Sequence, residues 1–125
     1  MRFAIHASNG VPIYEQIVRH IKFAVANGGL VVGEHVPSVR EAAQQLAVNP
    51  NTVARAYRDL QAEGILIPIR GTGLAITPEA PKRCRGERLD MIRERLQSVL
   101  LEARQHEIAP DEIRKLVEAE LARWK

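Results

Sequence analysis

The hydrophobic residues of the chain recur at helical spacing in five stretches, which places the apolar side chains of each stretch on one face. Apolar positions three and four residues apart are typical of amphipathic helices that bury one side. The first such stripe consists of Ile13, Ile17, Ile21 and Val25. The pattern predicts five helices, which begin near Pro12, Val39, Pro50, Leu89 and Pro110. Residues 1–11, before the first helix, are predicted to form an extended lead-in.

Capping residues mark the beginning of the second and third helices. Ser38 is followed three residues later by Glu41, which is the spacing of a capping box. Asn49 is a good N-cap, and Pro50 suits the first helical position because its missing N–H would have no partner there. Two short helices joined by a tight turn, the second running to Glu63, are predicted to form a helix-turn-helix.

A short β-hairpin is predicted directly after the third helix. The runs 65–69 and 74–77 are β-prone, and Arg70-Gly71-Thr72-Gly73 joins them with the glycines of a turn. Pro68 has no N–H to donate to a neighbouring strand, so the edge of the hairpin that contains Pro68 should be exposed. A hairpin in this position is the wing of a winged helix, although a simple solvated turn is the alternative interpretation. A further short strand is predicted at 34–36.

Composition narrows the class of protein but does not identify a partner. The 125 residues suffice for one compact domain, or a small domain with an appendage. The net charge is +3, and residues 1–78 carry seven Lys or Arg against five Asp or Glu. Such a balance gives no strong overall field, so affinity for DNA depends on where particular arginines point. We expect no signal peptide and no membrane span, since no apolar run approaches roughly 18 residues.

The segment after the hairpin is predicted to be a linker over residues 79–87, because it contains proline, glycine and a basic cluster. Its Cys84 is the single cysteine of the chain, which excludes an intrachain disulfide and fits a reducing cytoplasm. Cys84 is interpreted as an incidental surface thiol. The alternative is a redox switch, in which the neighbouring cations lower its pKa.

The last two helices, within residues 88–125, carry wide apolar stripes. Two short helices do not bury such faces against each other alone, so they must cover the winged helix or a second subunit. A helix-turn-helix that reads a palindromic DNA sequence needs two-fold symmetry, which favours a dimer formed through the tail. Within each tail the two helices are predicted to be antiparallel. The predicted dimerisation residues are Leu89, Ile92, Leu96, Val99, Leu100, Ile113, Leu116, Val117, Leu121 and Trp124. The tail leaves no room for a pocket-sized effector domain.

No residue pattern indicates catalysis. The four histidines are scattered, without the spacing of a metal site, and there is no nucleophile motif or phosphate-binding loop. The sequence therefore predicts no enzyme, no metal and no cofactor.

Five separated motifs together carry a family resemblance. They are Pro12-Ile13-Tyr14-Glu15-Gln16-Ile17, Pro37-Ser38-Val39-Arg40, Asn49-Pro50-Asn51-Thr52-Val53-Ala54-Arg55-Ala56-Tyr57, Glu63-Gly64 and Arg70-Gly71-Thr72-Gly73. In this order and spacing they resemble the winged helix of the GntR family of bacterial regulators, over about two thirds of the chain. The short helical tail resembles that of the YtrA subfamily. The resemblance implies that the C-terminal helices form a dimer. It also implies a repressor, because members of this subfamily often repress transporter operons and their own operon.

The resemblance also implies DNA contacts at Arg40, at the start of the third helix and at the wing glycines. Arg58 is added from helix geometry, since it lies three residues beyond Arg55. Ser38 is either a helix cap alone or also a phosphate contact. The predicted DNA-binding residues are Ser38, Arg40, Asn49, Pro50, Asn51, Thr52, Arg55, Arg58, Arg70, Gly71, Thr72 and Gly73.

The sequence therefore predicts a mainly α-helical protein with a small β-wing. Residues 1–78 are predicted to form a winged helix-turn-helix domain, residues 79–87 a linker, and residues 88–125 a two-helix antiparallel dimerisation tail. The predicted function is a homodimeric repressor that binds an inverted-repeat operator in double-stranded DNA. A winged helix used only for contact with other proteins is the alternative. It would be favoured if Arg40, Arg55 and Arg70 were ion-paired with nearby acids.

Overall fold

The computed structural model of the chain describes residues 10–124. In chain order the elements are α1 (Ile13–Ala26), α2 (Val39–Leu46), α3 (Pro50–Ala62), β1 (Leu66–Ile69), β2 (Gly73–Ile76), α4 (Ala80–Gln105) and α5 (Pro110–Ala122). This confirms the prediction of a mainly helical protein with a small β-wing. Most of the predicted lead-in lies outside the described residues. The chain divides into two compact units after Arg88.

The first unit has a hydrophobic core built from the predicted helical stripes. Ile17, Ile21 and Val25 of α1 are buried against Val53 and Leu60 of α3. Their spacing places them on one face of each helix, so that both faces are removed from water together. The core thus holds α3 at a fixed position between the other elements of the unit.

The two strands form an antiparallel hairpin in which Leu66 pairs with Ile76 and Ile69 with Gly73. The short strand predicted at 34–36 is reduced to a single bridge between His35 and Ala75. Backbone hydrogen bonds from Gly33 to Ile76 and from Val36 to Leu74 flank this bridge. The segment before α2 is therefore joined to the hairpin along β2.

The predicted linker at 79–87 is wrong, because these residues belong to the beginning of α4 apart from Glu79. Proline is tolerated in the first turn of a helix, where Pro81 lies, since the N–H it lacks would be unpaired there. Ala80 and Cys84 are four residues apart on one helical face, and both are fully buried in the core of the first unit. Burial of this face stabilises a helix whose composition alone favours a loop. The division into a DNA-binding domain and a dimerisation tail stays a prediction.

The interpretation of Cys84 as a surface thiol is also wrong. Its side chain is completely buried, and burial, together with the nearby Glu87 carboxylate, raises its pKa to about 11. The neighbouring cations lower the pKa less than burial raises it. A thiol with such a pKa stays protonated at neutral pH, and the protonated form is a poor nucleophile.

We expect Cys84 to react with a thiol reagent at neutral pH far more slowly in the folded protein than in denaturant. The reason is that the reagent needs an exposed thiolate, whereas this thiol is buried and protonated. Ellman's reagent, with and without urea, measures the two rates. Rapid labelling of the native protein would contradict the burial of this side chain.

The second unit consists of the distal part of α4, a turn and α5. Glu107 adopts a positive φ of 59° in the turn, and the Ile108 amide donates to the Ala103 carbonyl at 3.0 Å. An open groove of about 690 Å³ lies between the two helices, and apolar residues including Leu96, Leu100 and Val117 line it. The unit therefore leaves much of its apolar surface exposed.

Among residues 10–124, no helix is both long enough and apolar enough to cross a lipid bilayer.

Candidate nucleic-acid interface

The N-terminus of α3 is capped by the side chain of Asn49, which is exposed. The Asn51 amide donates to Asn49 Oδ1 at 2.8 Å, and Pro50 occupies the first turn. Pro50, Asn49 and Asn51 are exposed, whereas Thr52 is half-buried. A helix N-terminus carries a partial positive charge and free N–H groups. This end of α3 is therefore suited to contact an anionic ligand such as the DNA backbone.

The beginning of α2 has the predicted capping box. The Glu41 amide donates to Ser38 Oγ at 3.1 Å, and the Ser38 amide donates to Glu41 Oε1 at 3.2 Å. This confirms the cap, and Arg40 lies exposed in the same turn. The Tyr57 hydroxyl of α3 donates to the Pro37 carbonyl at 2.8 Å. Helix α3 is thereby linked to the residue that precedes the cap of α2.

Ala47 shapes the turn between α2 and α3. It has a left-handed conformation with φ 55° and ψ 46°, and the Val48 amide donates to the Ala43 carbonyl at 3.0 Å. Glycine is the usual residue at such a helix end because it has no Cβ. No glycine in the sequence marks this turn, yet Ala47 adopts the left-handed conformation.

The predicted arginines do not form ion pairs in the described part of the chain. Arg40, Arg55, Arg58 and Arg70 are exposed, and none of them is among the cations within 4.0 Å of a carboxylate. Glu63, near the end of α3, pairs with Lys22 and Arg83 instead. Since the arginines keep their charge and donors available, the arrangement lacks the shielding that would favour a pure protein–protein module.

Arg55 has an aromatic neighbour that sequence reasoning missed. Its guanidinium carbon lies 3.6 Å from the centroid of the Tyr14 ring of α1. Asn51, Arg55 and Arg58 share the exposed face of α3, opposite the buried Val53. The position of Tyr14 in the first turn of α1 was visible in the sequence, but its contact depends on how α1 and α3 pack.

The turn of the wing contains the predicted Arg70, Gly71, Thr72 and Gly73, all of which are exposed. Gly71 and Gly73 have φ values of 77° and 104°, which are conformations that a side chain strains. His35 Nε2 lies 2.9 Å from Thr72 Oγ1, and that hydroxyl lies 3.3 Å from the Ile69 carbonyl. Sequence reasoning missed this link between the wing and the segment that precedes α2.

A partly buried ion cluster lies at the opposite end of α3. Lys22 Nζ, on α1, contacts Glu63 Oε1 at 2.7 Å and Glu87 Oε2 at 3.0 Å. Arg83 Nε contacts Glu87 Oε1 at 3.1 Å, and Arg83 also donates to the Glu63 carbonyl. Burial lowers the pKa of Lys22, but its hydrogen bonds to both carboxylates outweigh burial and raise it. The cluster connects α1, the end of α3 and the first turns of α4.

A helix-turn-helix with an exposed second helix, followed directly by a hairpin with arginine and glycines at its turn, defines a winged-helix DNA-binding protein. Comparison with known proteins identifies the family. Residues 13–76 match the family described as bacterial regulatory proteins, gntR family. The chain belongs to this family and is a DNA-binding transcription regulator, not an enzyme.

Several relatives match the chain over most of its residues. It is 37% identical over 99 residues to the HTH-type transcriptional repressor YtrA of Bacillus subtilis (strain 168), covering 79% of this chain and 76% of that protein. A GntR family transcriptional regulator from Listeria monocytogenes superposes with a TM-score of 0.64 at 33% identity, covering 88% of this chain and 96% of that chain. YtrA from Sulfolobus acidocaldarius, a GntR-family transcription factor, has a TM-score of 0.59 at 28% identity, covering 96% and 97%. These similarities place the chain beside YtrA-type regulators.

Proposed function

We propose that this protein is a cytoplasmic, homodimeric repressor that binds an inverted-repeat operator and regulates its own operon together with transporter genes. In this proposal residues 1–78 form the DNA-binding domain, and residues 88–125 form the dimerisation tail. The repressor function is proposed by similarity to the YtrA repressor of Bacillus subtilis, which is 37% identical to this chain.

The exposed face of α3 supports the proposed mode of DNA binding. Asn51, Arg55 and Arg58 are exposed on it, and Asn49 and Pro50 at its capped N-terminus are exposed as well. Short polar side chains and arginine are the groups that hydrogen-bond base edges in the major groove. We assign direct base contacts to this face, with Asn49, Pro50 and Thr52 at its N-terminal end.

Contacts to the DNA backbone are assigned to the elements on either side of α3. Arg40 and Ser38 lie at the N-terminus of α2, where exposed N–H groups and a cation suit a phosphate. Arg70 and Thr72, with Gly71 and Gly73, form the wing turn, where small residues permit close approach to a groove. The hydrogen bonds of Tyr57 with Pro37 and of His35 with Thr72 would hold the N-terminus of α2, helix α3 and the wing at fixed positions relative to one another.

The observation that carries the proposed dimer is the exposed apolar surface of the tail. Of the fifteen large apolar side chains that are exposed among the described residues, eleven belong to the tail. Trp124 is 77% exposed and Leu89 is 69% exposed. A monomeric protein rarely leaves so much contiguous apolar surface in water. A second copy of the tail would cover it and supply the two-fold symmetry that an inverted repeat requires.

DNA binding tests the proposal. We expect the protein to bind the region upstream of its own gene more tightly than random duplex, by at least about a thousandfold. Affinity for both DNAs should fall steeply with salt, because phosphate contacts release counterions. Mobility shift or fluorescence anisotropy at several salt concentrations measures this, and footprinting then gives the operator. Equal binding to both DNAs would exclude sequence-specific repression and favour an architectural role.

A further inference from the structure

The guanidinium of Arg55 rests on an aromatic ring of a different helix. The distance of 3.6 Å from its central carbon to the Tyr14 ring centroid lies well inside the range of a cation–π contact, about 6 Å. Tyr14 is half-buried and packs against the hydrophobic core, so its ring has a fixed position. Its hydroxyl lies 3.3 Å from Glu15 Oε1, which is the adjacent residue and not part of α3.

We propose that Tyr14 is a positioning residue for DNA reading, whose ring holds the Arg55 guanidinium in the orientation in which it meets a base edge. The proposal rests on the proposed function, because Tyr14 acts on DNA only through Arg55. It assigns to α1 a part in base preference, although α1 does not carry the predicted base-contacting residues.

The geometry of the contact leaves the hydrogen-bond donors of Arg55 available. A cation–π contact uses the flat face of the guanidinium, whereas its N–H groups lie in the plane and point outward. Those outward N–H groups are the ones that bind O6 and N7 of guanine as a pair. The ring therefore restrains the orientation of the group without occupying the atoms that recognise a base.

Holding the Arg55 side chain in its binding orientation before DNA arrives increases the affinity for DNA. A free arginine on a helix surface samples many rotamers, and fixing it on DNA costs conformational entropy. Arg58, which is exposed on the same face, has no aromatic or ionic partner in the described part of the chain. Because Tyr14 restrains Arg55 and no such partner restrains Arg58, we expect Arg55 to discriminate between bases. We expect the contact of Arg58 to tolerate variation in the DNA sequence.

A double-mutant cycle on operator binding tests the proposal. The variants are Tyr14→Leu, Arg55→Ala and the double variant, with Tyr14→Phe as the variant that keeps the ring. Phe23→Leu is the matched control, because Phe23 also lies on α1 and faces an arginine, Arg19, at 5.4 Å. Affinity is measured for the footprinted operator, for its single-base-pair variants and for random duplex, after thermal melting has verified that each variant folds.

We expect Arg55→Ala to lower operator affinity about tenfold and to remove the preference at one base pair. Tyr14→Leu should lower affinity about fivefold and weaken the preference at that same base pair. It should leave the salt slope unchanged, because no phosphate contact is lost. Tyr14→Phe and Phe23→Leu should resemble the wild type. In the Arg55→Ala background, Tyr14→Leu should have no further effect.

Three results would overturn the positioning role while leaving the proposed function intact. The first is additive effects of Tyr14→Leu and Arg55→Ala, and the second is a loss at Tyr14→Phe equal to that at Tyr14→Leu. The third is tighter operator binding by Tyr14→Leu, which would mean that the ring withholds Arg55 from DNA. If Tyr14→Leu does not fold, Tyr14→Met replaces it as a ring-free variant. Wild-type protein that does not distinguish operator from random duplex would instead overturn the proposed function, and the positioning role with it.

Discussion

Replacing Leu121 with glutamate is expected to convert the proposed dimer to a monomer and to lower affinity for the inverted-repeat operator by at least about a hundredfold. Leu121 lies in the last turn of α5 and is 49% exposed. In a dimer this position would be covered, and an unpaired carboxylate buried there is strongly unfavourable. The monomer itself should remain folded, because about half of the Leu121 side chain is already in water. Light scattering gives the mass, and anisotropy gives the affinity.

The effect on DNA binding arises from the loss of two linked half-site contacts. Affinity for a single half-site should therefore stay near that of the wild type. Gln97→Glu is the matched control, since it adds the same charge at an exposed polar position of α4. Trp124→Glu, at the most exposed apolar side chain of the tail, should act like Leu121→Glu. An unchanged mass for both glutamate variants would exclude a dimer formed through the tail.

Replacing Lys22 with methionine is expected to destabilise the protein by about 2 kcal/mol. Methionine keeps the aliphatic volume, but Glu63 and Glu87 then face each other with Arg83 as their remaining cation. The two carboxylates are about 30% exposed, so water offsets part of the loss and the effect is smaller than for a fully buried pair. Urea denaturation at constant protein concentration measures the change in the free energy of unfolding.

A surface ion pair provides the control for Lys22→Met. Arg93 and Asp90 lie 2.7 Å apart on α4, and both side chains are more than 60% exposed. Removal of such a pair in Arg93→Met should change stability by no more than about 0.5 kcal/mol. Equal effects of the two substitutions would show that the Lys22 cluster contributes no more than an ordinary surface pair.

The same cluster should make stability depend on pH, with a predictable sign. Burial raises the pKa of Glu87, but hydrogen bonds from Lys22 and Arg83 outweigh it and hold the pKa below its ordinary value of 4.5. The stability contributed by this group is thus fully present above the ordinary value and is lost as pH falls through the lower folded value. The pKa of Lys22 is raised above 10.5, so its contribution is lost only in strong alkali. Urea titrations from about pH 7 to about pH 3 should show a smaller acid loss in Lys22→Met than in the wild type.

Local signals in the sequence predicted α2, α3 and the hairpin. Ser38 and Glu41 form a capping box, and Asn49 caps α3 through the Asn51 amide with Pro50 at the first helical position, so each set of partners lies within a single turn. Such interactions depend on neighbouring residues alone, so they can be recognised without knowledge of the fold. The family resemblance was carried by the same segments, which is why it could also be seen at the level of sequence.

The residues at 79–87 illustrate where local reasoning fails. Proline, glycine and a basic run favour a loop, yet Ala80 and Cys84 are buried and the segment is helical. Glycine in a helix costs up to about 1 kcal/mol relative to alanine, and burial of an apolar side chain can offset that amount. Burial depends on the position of the other helices, which no window of sequence contains.

The sequence by itself determined the order of the elements, the caps that begin α2 and α3, the wing and the apolar stripes, because each is set by residues within a few positions of one another. Only the tertiary structure decided that α4 begins at Ala80, that Cys84 is inaccessible, and that Lys22 lies between Glu63 and Glu87. It also decided that Arg55 rests on Tyr14 and that His35 is bonded to the wing. These contacts join residues far apart in the chain. They form because burial of the common hydrophobic core brings the helices together, and the side chains at its margin then find partners that no local rule specifies.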